Sequence, residues 1–592
     1  MTTYQIIAFS ILGMTLVLFV WGRWRYDLVA IAALLAVTIA GLIPAREAFL
    51  GFAHPAVVTV AAVLVISRSL RNAGIIDLAV RLLGPLRGRA TAQIAAQSSL
   101  VAVLSGFMNN VGAMALMLPV ALRTAYRDGY APALVLMPLA FASLLGGLIT
   151  MIGTPPNIII ATFRAERIGE PFGMFDFAPV GLVVAVVGIA FTSLVGWRLI
   201  PKERRGQIDT EALFKIDDYV SEARAREGSV AIDQRIDELE ALTEHEVTIA
   251  GIIRNERRHL IPSGQERVRS GDVLILEGDP TGMKLLIDAV DLELVGSEKP
   301  PVEDLRSEEV GIVEAVINPG SPIIGRSPRA IRLRTLHRVN LLALARHGKP
   351  ERRRLSDIRF QVGDIALLQG ENSDLPDVLQ KLGCLPLAGR QLRIGQSQNL
   401  VLATAIFALA ITVALLGLLP IHIAFVSAAV ALVVGNVVSL GEVYEAIDWP
   451  VIVLLGAMIP VGSALEATGG AALIAEILVS LARGLDAPWV LLILFVGTMF
   501  VSDVINNNAT AVLMAPIAIN TADRLGAAVD PFLMAIALGA SCAFLTPIGH
   551  QSNTLVMAPG GYRFSDYWRM GLPLEALIAI VGVPMILLVW PL

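Results

Sequence analysis

The chain has 592 residues, 55% of them hydrophobic and only 16% charged, with a formal net charge of −5. Soluble domains carry about 25% charged residues, and no segment is strongly basic, so the composition argues against both an ordinary soluble protein and a nucleic-acid partner. Two cysteines, Cys384 and Cys542, and seven scattered histidines supply neither a disulfide framework nor a metal cluster.

Charge is unevenly spread. Long apolar runs fill 1–200 and 399–592, whereas 202–395 holds most of the Lys, Arg, Asp and Glu. The first run, Ile6–Trp21, has the length of a signal-peptide core. Its leading MTTYQ carries no positive charge and no cleavage site follows, so it reads as a retained helix. Spanning the hydrocarbon takes about 20 apolar helical residues. Candidate crossings are 4–21, 27–43, 55–71, 132–162 and 178–200, then 399–418, 421–439, 450–466, 530–558 and 571–591. Two more apolar stretches, 93–121 and 488–518, carry polar residues at their middles. Broken helix in lipid needs protein or a water-filled cavity around it, so both read as re-entrant hairpins.

The halves repeat. SGFMNNVGAMALMLP at 105–119 aligns with SDVINNNATAVLMAP at 502–516, pairing Ser105 with Ser502, Asn110 with Asn507 and Pro119 with Pro516. TMIGTPPN at 150–157 aligns with TPIGHQSN at 546–553, and Pro55 with Pro450. An odd number of crossings per half requires opposite insertion, the pattern of inverted-repeat transporters. The positive-inside rule orients them. With a cytoplasmic insert, Arg23, Arg25, Arg71, Arg81, Arg87, Arg89, Arg123, Arg127, Lys202, Arg204, Arg205, Arg563 and Arg569 all lie inside. Only Arg46, Arg164, Arg167, Arg483 and Arg524 lie outside, with both termini.

The expected organisation is membrane repeat 1 (1–200), a polar, partly helical linker (201–230), two soluble modules (231–297 and 298–395) and membrane repeat 2 (396–592). The modules also resemble each other. VRSGDVLILEG and FQVGDIALLQG each place Gly-Asp, Gly271-Asp272 and Gly363-Asp364, before an apolar strand. EVTIAGIIR, VGIVEAVI and NLLALAR read as further strands of small α+β units.

The chemistry concentrates at the interruptions. Asn109, Asn110, Asn506, Asn507 and Asn508 sit inside apolar runs, where polar groups need partners. A helix broken at Asn exposes N–H groups that attract an anion and carbonyls that suit a small hard cation. Simple helix capping is the competing reading. GTPPN (Gly153–Asn157, including Thr154) and GHQSN (Gly549–Asn553) would unwind a crossing helix, through proline in the first and glycine in both. A packing kink is the alternative there. Asp503 is either a proton carrier or cation ligand, or a structural partner of a helix end. His550 either donates to substrate or lines the loop. No Lys or Arg falls in these tips. No P-loop, Ser-His-Asp set or ligand cluster appears, so neither an enzyme nor an ATP-driven pump is expected.

The paired hairpins, TPPN, and TPIGHQSN followed by GGYRFSDYW resemble the divalent anion:sodium symporter family of the ion-transporter superfamily. The resemblance covers both membrane halves. It implies a substrate site at each tip where that family carries Ser-Asn-Thr. Here those positions are Asn109-Asn110-Val111 and Asn506-Asn507-Asn508, so only the central Asn is kept. It also implies sodium sites at Ser105, Asn110 and Gly153, and at Ser502, Asn507 and Gly549. The insert resembles two tandem TrkA-C (RCK-C) domains, at 231–297 and 298–395, with EAVINPGSPIIGRSPRAIRLRTLHRVNLLALAR followed by QVGDIALLQG matching that pattern; this implies a dimer and a small, nucleotide-like regulatory ligand. The expected protein is then a polytopic α-helical carrier in the cell inner (plasma) membrane. It couples sodium or protons to an inorganic divalent anion, best matched by sulfate, through an elevator-type motion. A proton-linked antiporter or exporter of organic or oxyanion solutes, and a TrkA-C-gated channel, are the competing expectations.

Overall fold

Inside lipid every backbone N–H and C=O must find a partner in its own segment, which is why each apolar run winds into helix. The computed structural model describes every residue except 22, 74–89, 202–203, 205–219, 244–246, 255–256, 261, 279, 296–309, 318–320, 347–348, 352–357, 372–373, 387–396 and 482–484. Arg81, Arg87, Arg89, Lys202, Arg205 and most of the expected linker lie outside the described residues.

The first half contributes α1 (Thr3–Trp21), α2 (Tyr26–Ile39), α3 (Pro55–Asn72), α4 (Ala90–Phe107), α5 (Asn110–Arg127), α6 (Ala133–Gly147), α7 (Pro155–Ile168) and α8 (Ala178–Leu194). Pro55 and Pro155 stand in the first turns of α3 and α7, where a missing N–H leaves no bond unmade. The expected crossing 132–162 is two helices, α6 and α7, separated by an irregular segment. The hairpin is α4 and α5, turning at Met108–Asn109. Its arms extend past the apolar stretch 93–121. At 18 residues each, they are about 27 Å long.

The insert comes next. β1 (Val220–Ala225) lies inside the expected linker and joins the first sheet, because it pairs with two strands of that sheet at once. α9 (Ile236–Leu242), β2 (Val247–Arg254), β3 (Arg257–Leu260), β4 (Val273–Gly278), α10 (Pro280–Val290) and β5 (Leu292–Leu294) complete that unit. The second unit has β6 (Val310–Ile317), α11 (Leu333–His337), β7 (Asn340–Arg346), β8 (Lys349–Pro350), β9 (Ile365–Glu371), α12 (Leu375–Lys381) and β10 (Cys384–Pro386). The strand orders are β3-β2-β4-β1-β5 and β10-β6-β9-β7-β8, the same order read from opposite ends. A register shift at Ile249/Gly251 recurs at Leu341/Ala343.

A matched ion pair recurs in each unit. Arg254 grips Asp272 with two bonds of 2.9 and 2.6 Å, and Arg346 grips Asp364 with two of 2.8 Å. The same guanidinium reaches a carbonyl, Arg267 in one unit and Arg359 in the other, at 3.0 Å. The preceding Gly271 and Gly363 have φ of +85° and +83°, a conformation that a side chain would strain.

The second half supplies α13 (Ser397–Leu415), α14 (Ile421–Val434), α15 (Leu440–Ala446), α16 (Trp449–Ala467), α17 (Gly470–Leu481), α18 (Ala487–Val504), α19 (Asn507–Leu525), α20 (Val529–Ser541), α21 (Gln551–Met557) and α22 (Tyr567–Val589). The order of hairpin, split helix and long closing helix repeats that of the first half, and the expected crossing 530–558 is again two helices. Among the described residues, five helical segments are long and apolar enough to cross a membrane: Pro55–Asn72, Ala90–Phe107, Trp449–Ala467, Ala487–Val504 and Phe564–Val589.

The helices sort into two bundles. One joins the opening helices of both halves, with α2 on α16 and α3 on α14. The other joins α4–α8 with α18–α22. α3 against α7 and α16 against α19 are seams between them. The second insert unit touches the membrane part. Val316, Ala345 and Ile365 are buried with the membrane core, β6 meets α5, and Gly363 packs on Pro559 just after α21.

Asp364→Ala should loosen the second unit by about 3 kcal/mol, since it strands Arg346 against a buried site. Limited proteolysis of the full chain would show faster cleavage within 310–386; an unchanged rate would count against the lock. Burial also pushes the Cys384 thiol up to about 12. A maleimide at pH 7 should therefore leave Cys384 and the buried Cys542 unmodified until the protein is denatured. Fast native labelling of Cys384 would contradict its place in the sheet.

Candidate functional site

Breaking a helix in an apolar interior frees carbonyls and amides, each expensive to leave alone. Here the same side chains meet them in both halves. Ser105 Oγ donates to Ser143 O at 2.6 Å, and Ser502 Oγ to Ala540 O, a separation of 38 residues in each case. Asn157 Nδ2 donates to Gly147 O and Thr150 O at 3.3 and 2.9 Å. Asn553 Nδ2 donates to Ala543 O and Thr546 O at 2.8 and 3.2 Å. Thr150 Oγ1 donates to Gly106 O and accepts from Gly153 N. Thr546 Oγ1 donates to Asp503 O and accepts from Gly549 N. Each hairpin is thereby stitched to the break of its own half.

The tips start α5 and α19. Asn109 Oδ1 accepts from Val111 N at 3.2 Å and Asn506 Oδ1 from Asn508 N at 2.9 Å, so the leading Asn of each tip caps a helix. Capping is therefore at least part of what these two residues do. Both are partly exposed, whereas Asn110, Asn507 and Asn508 are buried.

The structure brings Ser105, Asn110 and Gly153 together. With its NH2 group facing inward, Asn110 donates to Gly153 O at 3.0 Å and Ser143 O at 3.2 Å, and lies 2.7 Å from Ser105 Oγ. His550 fixes that orientation from the other half. Its Nδ1 accepts from Ser552 N at 3.0 Å, so the hydrogen of the neutral ring is on Nε2. Nε2 lies 3.4 Å from the outer atom of the Asn110 amide. The carbonyl oxygen belongs there, as the acceptor. One side chain thus ties the first tip to the second break.

The second trio is looser. Gly549 lies against Ser502, where a Cβ would come 2.5 Å from Ser502 O. Asn507 Oδ1 accepts from Asn508 N at 3.0 Å and makes no bond to Ser502 or Gly549. Asp503 stands in the last turn of α18, behind the tip rather than on it. Its Oδ1 accepts from Leu545 N at 2.8 Å. Glu575 of α22 lies beside it and accepts from Phe544 N at 3.1 Å.

Several buried oxygens around these breaks have no protein partner among the described residues: Thr154 Oγ1, Asn157 Oδ1, Asn508 Oδ1, Ser552 Oγ and Asn553 Oδ1. Buried polar atoms are normally hydrogen-bonded, and a row of unmet hydroxyl and amide oxygens suits a small polar or ionic solute. Thr154 and His550 are the residues that precede α7 and α21. The two halves also cross over: α7 packs on α19 and α20, and α21 on α5 and α6.

The mostly helical fold with several long apolar helices fits a polytopic membrane transporter. The citrate transporter family model matches residues 16–539 and 483–592, and the chain belongs to that family. It is 33% identical to an uncharacterized transporter of Escherichia coli, over 98% of both chains. An uncharacterized transporter of Synechocystis is 30% identical over 99% of this chain and 97% of its own. A probable sodium/sulfate cotransporter of Chlamydomonas reinhardtii is 23% identical over 81% of this chain and 77% of its own.

Sequence reasoning used Asn157 and Asn553 as landmarks without giving them a role, and it passed over Ser143, Ser552 and Glu575. The recurrence of the two Asn after each break was the available signal. Replacing Asn157 or Asn553 by Ala removes two bonds to buried carbonyls. Each change should cost about 2 kcal/mol, seen as a lower unfolding midpoint in detergent; wild-type midpoints would argue against the latch.

Proposed function

We propose that this protein is a secondary active transporter that carries an inorganic divalent anion, sulfate, together with sodium. The observation that carries this reading is the pair of tip-and-break units, stitched by the same bonds at the same separations and carrying unmet buried oxygens. The name of the Chlamydomonas relative supports sodium and sulfate as the pair. Sodium takes the oxygens of Ser105 and Gly153 in the first half, joined by that of Asn110 once its amide turns over from the orientation described above, and the oxygens of Ser502, Asn507 and Gly549 in the second. The anion takes N–H and hydroxyl donors at Asn109, Asn110, Asn506, Asn507, Asn508, Thr154 and His550. Anion or cation alone leaves a net charge in a low-dielectric site, and the two together do not. That difference is the origin of coupling.

The two halves are inverted repeats in the cell inner membrane, with both termini outside and the insert in the cytoplasm. The two bundles suit an elevator-type motion, the α4–α8 and α18–α22 bundle moving against the other along the α3–α7 and α16–α19 seams. The carrier works as a homodimer. Its insert is a tandem of TrkA-C domains, with the first beginning at β1, and a nucleotide-like ligand sets its activity. A second reading, proton-linked transport with Asp503 as the carrier, is favoured by the contact of Asp503 with Glu575.

Radiolabelled sulfate uptake into proteoliposomes, driven by an imposed sodium gradient or a proton gradient, separates the two. Sodium-driven uptake is expected. Uptake driven by protons alone would favour the second reading, and none in either arm would sink both. Asn110→Ala and Asn507→Ala should each abolish uptake in a protein that still purifies folded; wild-type uptake by either would remove that residue from the site.

A further inference from the structure

We infer that Glu575 is a positioning residue that shapes the second break and, through it, the sodium-binding tip of the second half. This rests on the sodium reading above.

The argument starts from two matched close approaches. α8 passes behind the first break and α22 behind the second, each touching it through a glycine. A Cβ on Gly181 would lie 2.2 Å from Leu148 O, and one on Gly571 would lie 2.2 Å from Phe544 O. These contacts superpose the two breaks residue by residue. Four positions along each helix from its glycine, α8 has Ala185 and α22 has Glu575. On the facing hairpin the matched residues are Gly106 and Asp503. The second half therefore places two acids where the first has none.

Both acids hold backbone. In the first break, Leu148 N and Ile149 N wind on, donating to Leu145 O and Gly146 O at 3.2 Å. The matched amides of the second break do not. Phe544 N donates to Glu575 Oε1 and Leu545 N to Asp503 Oδ1. Accordingly α20 ends at Ser541, while α6 continues to Gly147, which matches Ala543. The carboxyl groups draw out two amides that would otherwise close another turn. The segment they straighten, which follows Ser541, sets Ala543 against Gly549 and presents Ala543 O and Thr546 O to Asn553.

Both carboxyl groups are buried, Asp503 at 2% and Glu575 at 5% exposure. Among the described residues no Arg or Lys is paired with either. A buried acid is an expensive cap, and α8 packs with Ala185 in the same place. What Glu575 contributes is the backbone shape it imposes, and that shape sets the cation shell of the second tip.

The test compares Glu575→Gln, which keeps an oxygen to accept the Phe544 N–H, with Glu575→Met, which keeps volume and loses the acceptor. Full-length protein in proteoliposomes gives the sodium concentration for half-maximal sulfate uptake. The melting shift of purified protein in sodium chloride over choline chloride reports sodium binding without transport. Glu575→Met should raise the half-maximal sodium concentration about tenfold and shrink the melting shift, in line with the loss of a second-layer contact at a metal site. The sulfate KM at saturating sodium should stay at the wild-type value. Glu575→Gln should stay within about twofold of wild type on every measure, since its amide oxygen still accepts. Wild-type sodium dependence in Glu575→Met would overturn the inference, as would a Glu575→Gln protein outside that range. The second criterion decides alone if Glu575→Met does not fold. A wild-type protein with no sodium effect on uptake or melting would instead bring down the sodium reading, and this inference with it.

Discussion

The whole arrangement depends on one constraint: a helix opened inside an apolar interior must have its freed backbone groups bound by side chains. Asn157 and Asn553 meet it by each gripping two carbonyls across a break. Thr150 and Thr546 meet it by joining each break to its own hairpin. With those bonds made, a few buried oxygens at the breaks, such as Thr154 Oγ1 and Asn508 Oδ1, have no protein partner among the described residues. Irregular backbone concentrates the polar atoms, and regular helix supports it.

The two halves meet the constraint with different strictness. In the first, the central Asn of the tip turns inward onto Ser143 and Gly153, and His550 holds it from the opposite half. In the second, Asn507 turns to its own helix and two carboxyl groups take the load. The two halves share their helix order while their polar contacts at the breaks differ. The two halves cross over within one bundle, because α7 leans on α19 and α20 while α21 leans on α5 and α6.

Much of this was legible in the sequence. Polar residues stand out in apolar runs, so the tips at Asn109–Asn110 and Asn506–Asn508 were found by position alone, while the breaks expected over 153–157 and 549–553 lie just ahead of those spans, since Pro155 and Gln551 already start helices. Strand alternation placed β2, β4, β6, β7 and β9 closely. What the sequence hid was set by tertiary contact. Nothing local says that Asn157 reaches back ten residues to Gly147 O, or that Val220–Ala225 leaves a polar stretch to pair between β4 and β5. Asp503 read as a tip residue because it is adjacent to the tip in the chain; helical geometry turns it back toward Leu545. Glu575, a lone acid in a long apolar helix, was a visible signal whose partner amide lay 31 residues away.

The contact between Gly363 and Pro559 has a mechanical consequence. Pro559 lies in the short link from α21 to Tyr562, whose hydroxyl donates to Ala133 O and accepts from Met137 N at the start of α6. The second unit is thus tied to the helices that carry the tips and breaks, since β6 also meets α5. A load on that unit bears first on Pro559 and, through Tyr562, on the start of α6.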